Sequence, residues 1–172
     1  MICFRDILFQ IKFYIMKVIE AYITSFLILF LTATIPSHFM RSIQTPWYQC
    51  IKSKITPPNY VFPIVWTILY ILLAIVLANI FLLPNTRKKT ILIFFFSINL
   101  FLNILWSYFY FYIKSQPIAY LILISLISTT LAIIYYAYKL LPLNIFYMIL
   151  PYYLWTCFAF VLSTITLNKS CK

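Results

Sequence analysis

The chain has 172 residues, of which 65% are apolar and only 9% charged, whereas soluble domains are about 45–50% apolar and about 25% charged. Its two acidic residues, Asp6 and Glu20, both lie near the N-terminus, which excludes paired-carboxylate hydrolysis, carboxylate-held divalent metals and a proton relay of acidic side chains through a bilayer. The net charge of +11 comes from Lys and Arg residues scattered between hydrophobic stretches, so it indicates anchoring at a membrane interface rather than a nucleic-acid partner.

Five segments are long and apolar enough to cross a bilayer, which takes about 20 residues each. The sequence therefore predicts an all-α membrane protein, a bundle of five transmembrane helices that forms one domain over residues 18–172. The spans are predicted near residues 18–35, 62–83, 90–113, 118–139 and 145–167. The Lys and Arg residues divide almost evenly between the two sides, so they do not decide the orientation.

The first 17 residues are predicted to be a lead-in to the first span. They are hydrophobic but contain Arg5, Asp6 and Lys12, and Met16 offers a second plausible start. Residues 1–15 are therefore either an interfacial amphipathic segment or a mis-called start, and a cleaved signal peptide is disfavoured because no small-residue cleavage site follows an apolar core.

The connection over residues 36–60 is the only long one. It carries four prolines and is predicted to be an ordered cap across the mouth of the bundle. Its anchors are predicted to be Trp47, Tyr48, Pro57 and Pro58, and the two adjacent prolines hold the chain extended before the second span.

In the second span, Trp66 and Tyr70 are four residues apart and share one helix face. Spacing alone leaves two interpretations of equal weight, an aromatic pair in the membrane interface and the wall of a pocket.

In the third span, Asn99, Asn103, Trp106 and Ser107 form one stripe. Two asparagines facing lipid would be costly, so this stripe is predicted to point into the bundle. Spacing favours hydrogen bonding between helices over contact with a ligand and leaves both open.

In the fifth span, one face is predicted to point inward, and Pro151 is predicted to kink or restart the helix. The residues of that face are Tyr152, Trp155, Ala159, Leu162 and Ser163. The first span offers a narrow inward face of its own, which consists of Ala21, Ser25, Ile28 and Thr32.

The four cysteines show no CxxC spacing, and His38 is the only histidine. Neither a zinc site nor a disulfide framework is therefore predicted. The chain has no glycine, so Ala, Ser and Thr must supply any close contacts between helices.

Five motifs in order give the sequence a specific resemblance over residues 47–167. They are a WY pair, PPNYVF, VWTILY, LNxxWS followed by aromatics, and PYxxW with a downstream leucine. In this order and spacing the chain resembles the tryptophan-rich sensory protein and translocator protein family.

The resemblance implies a five-helix bundle, usually a homodimer, with a cavity under the long loop that binds tetrapyrroles such as protoporphyrin and, in some members, sterols. The family's pocket positions correspond to Trp66, Asn103, Trp106, Trp155, Ala159 and Leu162. Tyr70, Ser107 and Tyr152 share faces with these positions and complete the predicted ligand site. No required cofactor and no metal site are predicted.

The predicted function is that of a membrane receptor or sensor for porphyrin or a related ligand. Two alternatives stay open, light- and oxygen-dependent porphyrin breakdown and passive transfer of a tetrapyrrole or lipid. The resemblance implicates Trp66 and Trp155 in such photochemistry, since the chain has no acid–base pair for ordinary catalysis.

Overall fold

The computed structural model describes residues 4–39, 45–167 and 169, and it describes side chains from Leu8 onward. The described residues are helical and contain no strand. The helices are α1 (Phe4–Phe39), α2 (Pro46–Ile51), α3 (Val61–Leu82), α4 (Arg87–Ser107), α5 (Gln116–Leu140), α6 (Leu143–Phe146) and α7 (Leu150–Thr166). A π-helical turn, Tyr108–Tyr112, extends α4, and a 3-10 turn, Tyr147–Ile149, joins α6 to α7.

Five helical segments meet the length and hydropathy of a membrane span, which confirms the predicted five-helix class. They cover Leu8–Phe39, Val61–Leu82, Arg87–Tyr112, Gln116–Leu140 and Leu143–Thr166. Local sequence sets their ends: the Thr86 side chain accepts a hydrogen bond from the Lys89 backbone N–H (3.2 Å) and caps α4, and Pro117 lies in the first turn of α5.

Successive spans run in opposite directions, and the most extensive interfaces join α4 to α5 and α1 to α3. Apolar side chains fill the bundle in two clusters. The larger cluster lies away from α2 and includes Leu29, Leu73, Leu92, Phe96, Ile133 and Ile149. The smaller one forms where α2 packs on the bundle, and it includes Trp47, Tyr48, Ile51, Trp106, Phe111 and Leu123.

The first span is longer at both ends than the predicted residues 18–35. Pro36 lies inside α1 rather than after it, because a proline near the end of a helix removes only one backbone hydrogen bond. At the other end α1 begins at Phe4, so the predicted lead-in continues the helix. Its side chains from Leu8 to Lys17 are all exposed.

The fifth span begins at Leu143, slightly before the predicted residue 145. Pro151 lies in the first turn of α7, directly after the 3-10 turn. The helix therefore restarts at this proline, where the missing N–H of the first turn costs no intrahelical hydrogen bond.

The turn between α4 and α5 shows how a chain without glycine closes a helix. Lys114 has φ 58°, the left-handed conformation that glycine usually supplies, and the Ser115 N–H donates to the Phe109 carbonyl (2.9 Å). The Lys114 ammonium lies 5.6 Å from the centre of the Trp47 ring, which links this turn to α2.

The cysteines correct one expectation from the sequence. Cys157 is free, but Cys50 in α2 is disulfide-bonded, and the other half of that bond lies outside the described residues. Sequence spacing could not reveal this bond, because a disulfide depends on distance in the folded chain rather than along it.

Candidate functional site

A cleft of about 430 Å³ lies between α1, α3 and α4. Trp66, Tyr70 and Asn103 form its inner wall, while the exposed rings of Phe26 and Phe30 border its outer side. The remaining lining is mostly apolar, with a few hydroxyl groups from α1 and α3. The cleft therefore has the size and composition of a small-molecule pocket, and it opens toward the lipid-facing side of the bundle.

A second space lies on the other side of Trp66, in the centre of the bundle beneath α2. It measures only about 10 Å³ and is lined by Trp66, Asn103, Trp106, Leu123, Leu126, Trp155, Thr156 and Ala159. Three of the chain's four tryptophans meet here. The indole Nε1–H of Trp106 is buried and has no hydrogen-bond partner. A buried donor without an acceptor is rare and costs about 1–3 kcal/mol, so this N–H marks the space as a place where a polar group would be stabilised.

A third space is a groove of about 350 Å³ between α3 and α7. It is almost entirely apolar, and Trp155 forms part of its wall together with Pro151 and Leu69. Trp66 thus separates the cleft from the central space, and Trp155 separates the central space from the groove.

A ladder of buried hydrogen bonds crosses the bundle beside these spaces. The Tyr70 hydroxyl donates to Asn103 Oδ1 (2.8 Å), and Asn103 Nδ2 donates to the Tyr152 hydroxyl (3.3 Å). Tyr152 in turn donates to Asn99 Oδ1 (2.7 Å). Asn99 Nδ2 reaches α5, where it donates to Thr130 Oγ1 (2.9 Å) and to further acceptors nearby.

This ladder contains the hydrogen bonding between helices that was one of the two interpretations of the asparagine stripe. Asn99 is 2% exposed and joins α4 to α5 and α7, so its role is to hold helices together. Asn103 has the same kind of bonds but also lines both the cleft and the central space. Asn103 therefore borders two candidate pockets, whereas Asn99 lines none of the three spaces.

Aromatic rings surround Trp66 on two sides. Trp66 stacks on Tyr70 with ring centres 5.4 Å apart and meets the edge of Tyr152 at 6.3 Å. Trp155 packs against Phe62 at 5.8 Å. These contacts hold flat indole faces against the spaces described above, an arrangement that suits a flat apolar ligand.

The cap is a short helix docked on the end of α4 and the start of α5. Trp47 contacts Tyr110 (6.1 Å between ring centres) and Tyr48 contacts Phe111 (6.0 Å). Burial raises the pKa of the Tyr48 hydroxyl above its ordinary value, so this side chain stays neutral. The Lys169 ammonium donates to the carbonyls of Ile51 (3.4 Å) and Lys52 (3.0 Å), which fastens the end of α2 to the end of the chain.

The two cap prolines lie directly before α3. Pro57 and Pro58 precede α3 in a short turn, and the Pro58 carbonyl accepts from the Val61 N–H (3.0 Å). Neither proline lines the cleft, the central space or the groove.

The predicted site residues are only partly brought together. Trp66, Tyr70, Asn103 and Ser107 line the cleft, and Trp106, Trp155 and Ala159 join Trp66 and Asn103 around the central space. Tyr152 is buried beneath Trp66, lines none of the three spaces, and hydrogen-bonds to Asn99 and Asn103. Leu162 is half-buried and also lines none of them.

Sequence reasoning missed the contribution of α1. Its predicted inward face packs against the bundle, but the cleft is lined by the neighbouring face, which includes Phe26, Phe30, Ala33 and Ser37. Phe26 with Phe30 and Ala33 with Ser37 are each four residues apart, so their spacing could have indicated this second face of the helix. Thr156, which borders the central space from α7, was also missed.

Comparison with known proteins gives concordant matches. The model of the TspO/MBR family matches residues 23–167. A tryptophan-rich protein TspO of Bacillus cereus is 30% identical over 143 residues, which cover 81% of this chain and 92% of the relative. The protein of the same name from Archaeoglobus fulgidus is 36% identical over 129 residues, or 72% of this chain and 78% of the relative. Another, from Chlorobaculum tepidum, is 32% identical over 118 residues, or 66% and 73% of the two chains.

Proposed function

The chain belongs to the TspO/MBR family of multi-pass integral membrane proteins, and from that premise we propose that it is a membrane receptor or sensor for a flat, largely apolar ligand of the tetrapyrrole class. The ligand site is the cleft between α1, α3 and α4 joined to the central space through movement of the Trp66 side chain. The observation that carries this proposal is the position of Trp66, whose ring is the shared wall of both spaces.

Volume supports joining the two spaces. The central space of about 10 Å³ has room for about one water molecule, whereas ligand pockets for drug-sized molecules are about 300–1,000 Å³. The cleft reaches that range, and its open side lets the apolar edge of a macrocycle remain in the lipid phase. Trp66 is only half-buried, so its ring has space to turn toward the cleft.

The polar groups around the central space also support a ligand site that joins this space to the cleft. Trp106, whose Nε1–H has no partner, and Asn103 both line the central space, so they would border the ligand once Trp66 turns. A carboxylate, carbonyl or ring nitrogen of the ligand would satisfy the Trp106 donor, and the indole faces would stack on the macrocycle. A few placed polar groups among apolar walls are what a specific pocket requires.

The experiment is a titration of the purified protein in lipid nanodiscs with protoporphyrin, followed by the shift of the porphyrin absorption band. Ala33→Phe fills the cleft and Ala159→Phe fills the central space, so each is expected to weaken binding at least about 10-fold. Val161→Phe, which introduces the same phenyl ring on the exposed side of α7, is the control and is expected to bind as the wild type does. Circular dichroism checks that each variant is folded.

Two results would overturn the proposal. One is wild-type protein that gives no saturable change beyond that of empty nanodiscs. The other is saturable binding that Ala33→Phe and Ala159→Phe leave at the level of the Val161→Phe control.

A second candidate function is favoured by the contact of Trp66 with Tyr70 and Tyr152. In light- and oxygen-dependent porphyrin breakdown, the illuminated porphyrin would lose electrons and molecular oxygen would gain them, which opens the macrocycle. Trp66 would relay an electron from the porphyrin to oxygen, so that its ring is oxidised and then restored by the porphyrin. On this proposal Trp66→Phe loses light-dependent bleaching of bound porphyrin while binding persists. Equal bleaching in empty nanodiscs and with protein would remove this candidate.

A further inference from the structure

Three exposed basic side chains lie where α4 begins and α5 ends, on the membrane face opposite the cap. Arg87 and Lys88 are the first two residues of α4, and Lys139 lies in the last turn of α5. The two helices are antiparallel neighbours, and the Phe95 and Tyr136 rings stack between them at 6.2 Å. The ends of α4 and α5 therefore bring these cations to one patch.

One of these cations binds a phenol of its own helix. Lys139 Nζ donates to the Tyr135 hydroxyl (2.6 Å) and lies 4.1 Å from the centre of the same ring. Arg87 and Lys88 lie at the adjoining end of α4, so three like charges share one end of this helix pair. An anion between them would lower the electrostatic cost of holding three cations together.

The positive charge of this patch has no acidic partner. Among the side chains that the structure describes, the one carboxylate is Glu20, which lies on α1. Lys89 belongs to a different arrangement, because its ammonium donates to the Phe81 carbonyl (2.8 Å), the Leu83 carbonyl (2.7 Å) and Asn85 Oδ1 (3.1 Å). Lys89 is therefore used to hold the α3–α4 turn, whereas Arg87, Lys88 and Lys139 form no ion pair with a side chain that the structure describes.

The level of the patch in the membrane indicates which anion is available. Tyr135, Tyr138 and Tyr147 are all more than half exposed at this end of the bundle, and exposed tyrosines of spanning helices concentrate at the headgroup level. Lys and Arg at the same level meet lipid phosphates.

We propose that the patch formed by Arg87, Lys88, Tyr135 and Lys139 is a binding site for the phosphate of an anionic lipid headgroup. The guanidinium and the two ammonium groups would surround the phosphate oxygens, and the Tyr135 hydroxyl, which accepts from Lys139, would donate its own proton to the same anion. This site is separate from the tryptophan-lined spaces and does not depend on the proposed ligand.

The test counts bound lipid by native mass spectrometry of the full chain in detergent, titrated with phosphatidylglycerol. The wild type is expected to retain one tightly bound phosphatidylglycerol and no comparable phosphatidylcholine. Lys88→Gln combined with Lys139→Gln is expected to weaken retention at least about 10-fold. Lys52→Gln combined with Lys54→Gln removes the same charge at the cap and is expected to change retention less than about 2-fold.

A competition experiment with inorganic phosphate distinguishes a site for an anionic lipid from a site for free phosphate. Millimolar inorganic phosphate is expected to leave the bound phosphatidylglycerol in place, because the acyl chains hold the lipid at the bundle surface. Displacement by inorganic phosphate would overturn the assignment to a lipid. Equal retention in the Lys88/Lys139 and Lys52/Lys54 variants would overturn the site itself.

Discussion

At the scale of single residues, the buried asparagines explain how a chain without glycine specifies one packing of its helices. Four helices meet through the ladder from Tyr70 to Asn103, Tyr152, Asn99 and Thr130. The sequence predicted that the asparagine stripe points inward, because polar amides are costly against lipid. It could not predict the partners, since these lie 27 to 53 positions away in the chain.

Asn99→Ala is expected to destabilise the bundle by about 1–3 kcal/mol, because it removes the donor to α5 and leaves the Tyr152 hydroxyl without its acceptor. The measurement is thermal unfolding in detergent. Asn144→Ala, an exposed asparagine between α5 and α7, is the matched control and is expected to unfold as the wild type does. The prediction fails if the two variants unfold at the same temperature.

Trp106→Phe tests the unpartnered indole N–H. The smaller phenyl ring leaves a cavity next to Tyr110 and Phe111, while loss of the unpartnered donor removes a cost of similar size. The stability is therefore expected to stay within about 1 kcal/mol of that of the wild type. Protoporphyrin affinity is expected to fall about 2- to 12-fold, which corresponds to the free energy of one hydrogen bond, about 0.5–1.5 kcal/mol. Titration and thermal unfolding of the same sample measure both, and an unchanged affinity would show that this donor takes no part in binding.

At the scale of elements, α2 and α1 depart most from what periodicity predicts. Six residues are too few for a periodic signal, so the sequence predicts an ordered cap at Trp47 and Tyr48 but not its helix or its docking surface. For α1, the pattern marks only the most apolar stretch. The helix extends beyond that stretch because neither Pro36 near one end nor the isolated charges near the other are enough to stop it.

Lys169→Met is expected to loosen the cap without unfolding the bundle. The substitution removes the ammonium that binds the Ile51 and Lys52 carbonyls at the end of α2, while the Trp47 and Tyr48 contacts remain. Hydrogen exchange of residues 46–52 is expected to become several-fold faster, with that of α5 unchanged. Lys54→Met, an exposed lysine just beyond α2, is the control, and equal exchange in the two variants would contradict the assigned role.

A chain that starts at Met16 is expected to keep the bundle. The described side chains before that position are all exposed, so their loss removes no core contact. The melting temperature in detergent is expected to stay within about 2 °C of that of the full chain. A loss of more than about 5 °C would show that the first turns of α1 contribute to folding.

At the scale of the whole molecule, the five spans followed from length and hydropathy, while the shape of the interior did not. The resemblance implied a cavity under the long loop, and in the structure Trp66 and Trp155 separate a cleft, a small central space and a groove. Ring orientations at Trp66, Tyr70 and Tyr152 produce this division. They depend on packing between distant helices, which no motif encodes.

The central claim is that a tetrapyrrole binds where Trp66 divides the cleft from the central space. The chain has four tryptophans, so fluorine NMR of protein labelled with 5-fluorotryptophan gives one resonance for each of Trp47, Trp66, Trp106 and Trp155, assigned by Trp→Phe variants. On titration with protoporphyrin in nanodiscs, the Trp66 and Trp106 resonances are expected to shift most and that of Trp47, buried in the cap, to shift least. Four unmoved resonances at saturating porphyrin, or a shift of Trp47 alone, would contradict the claim.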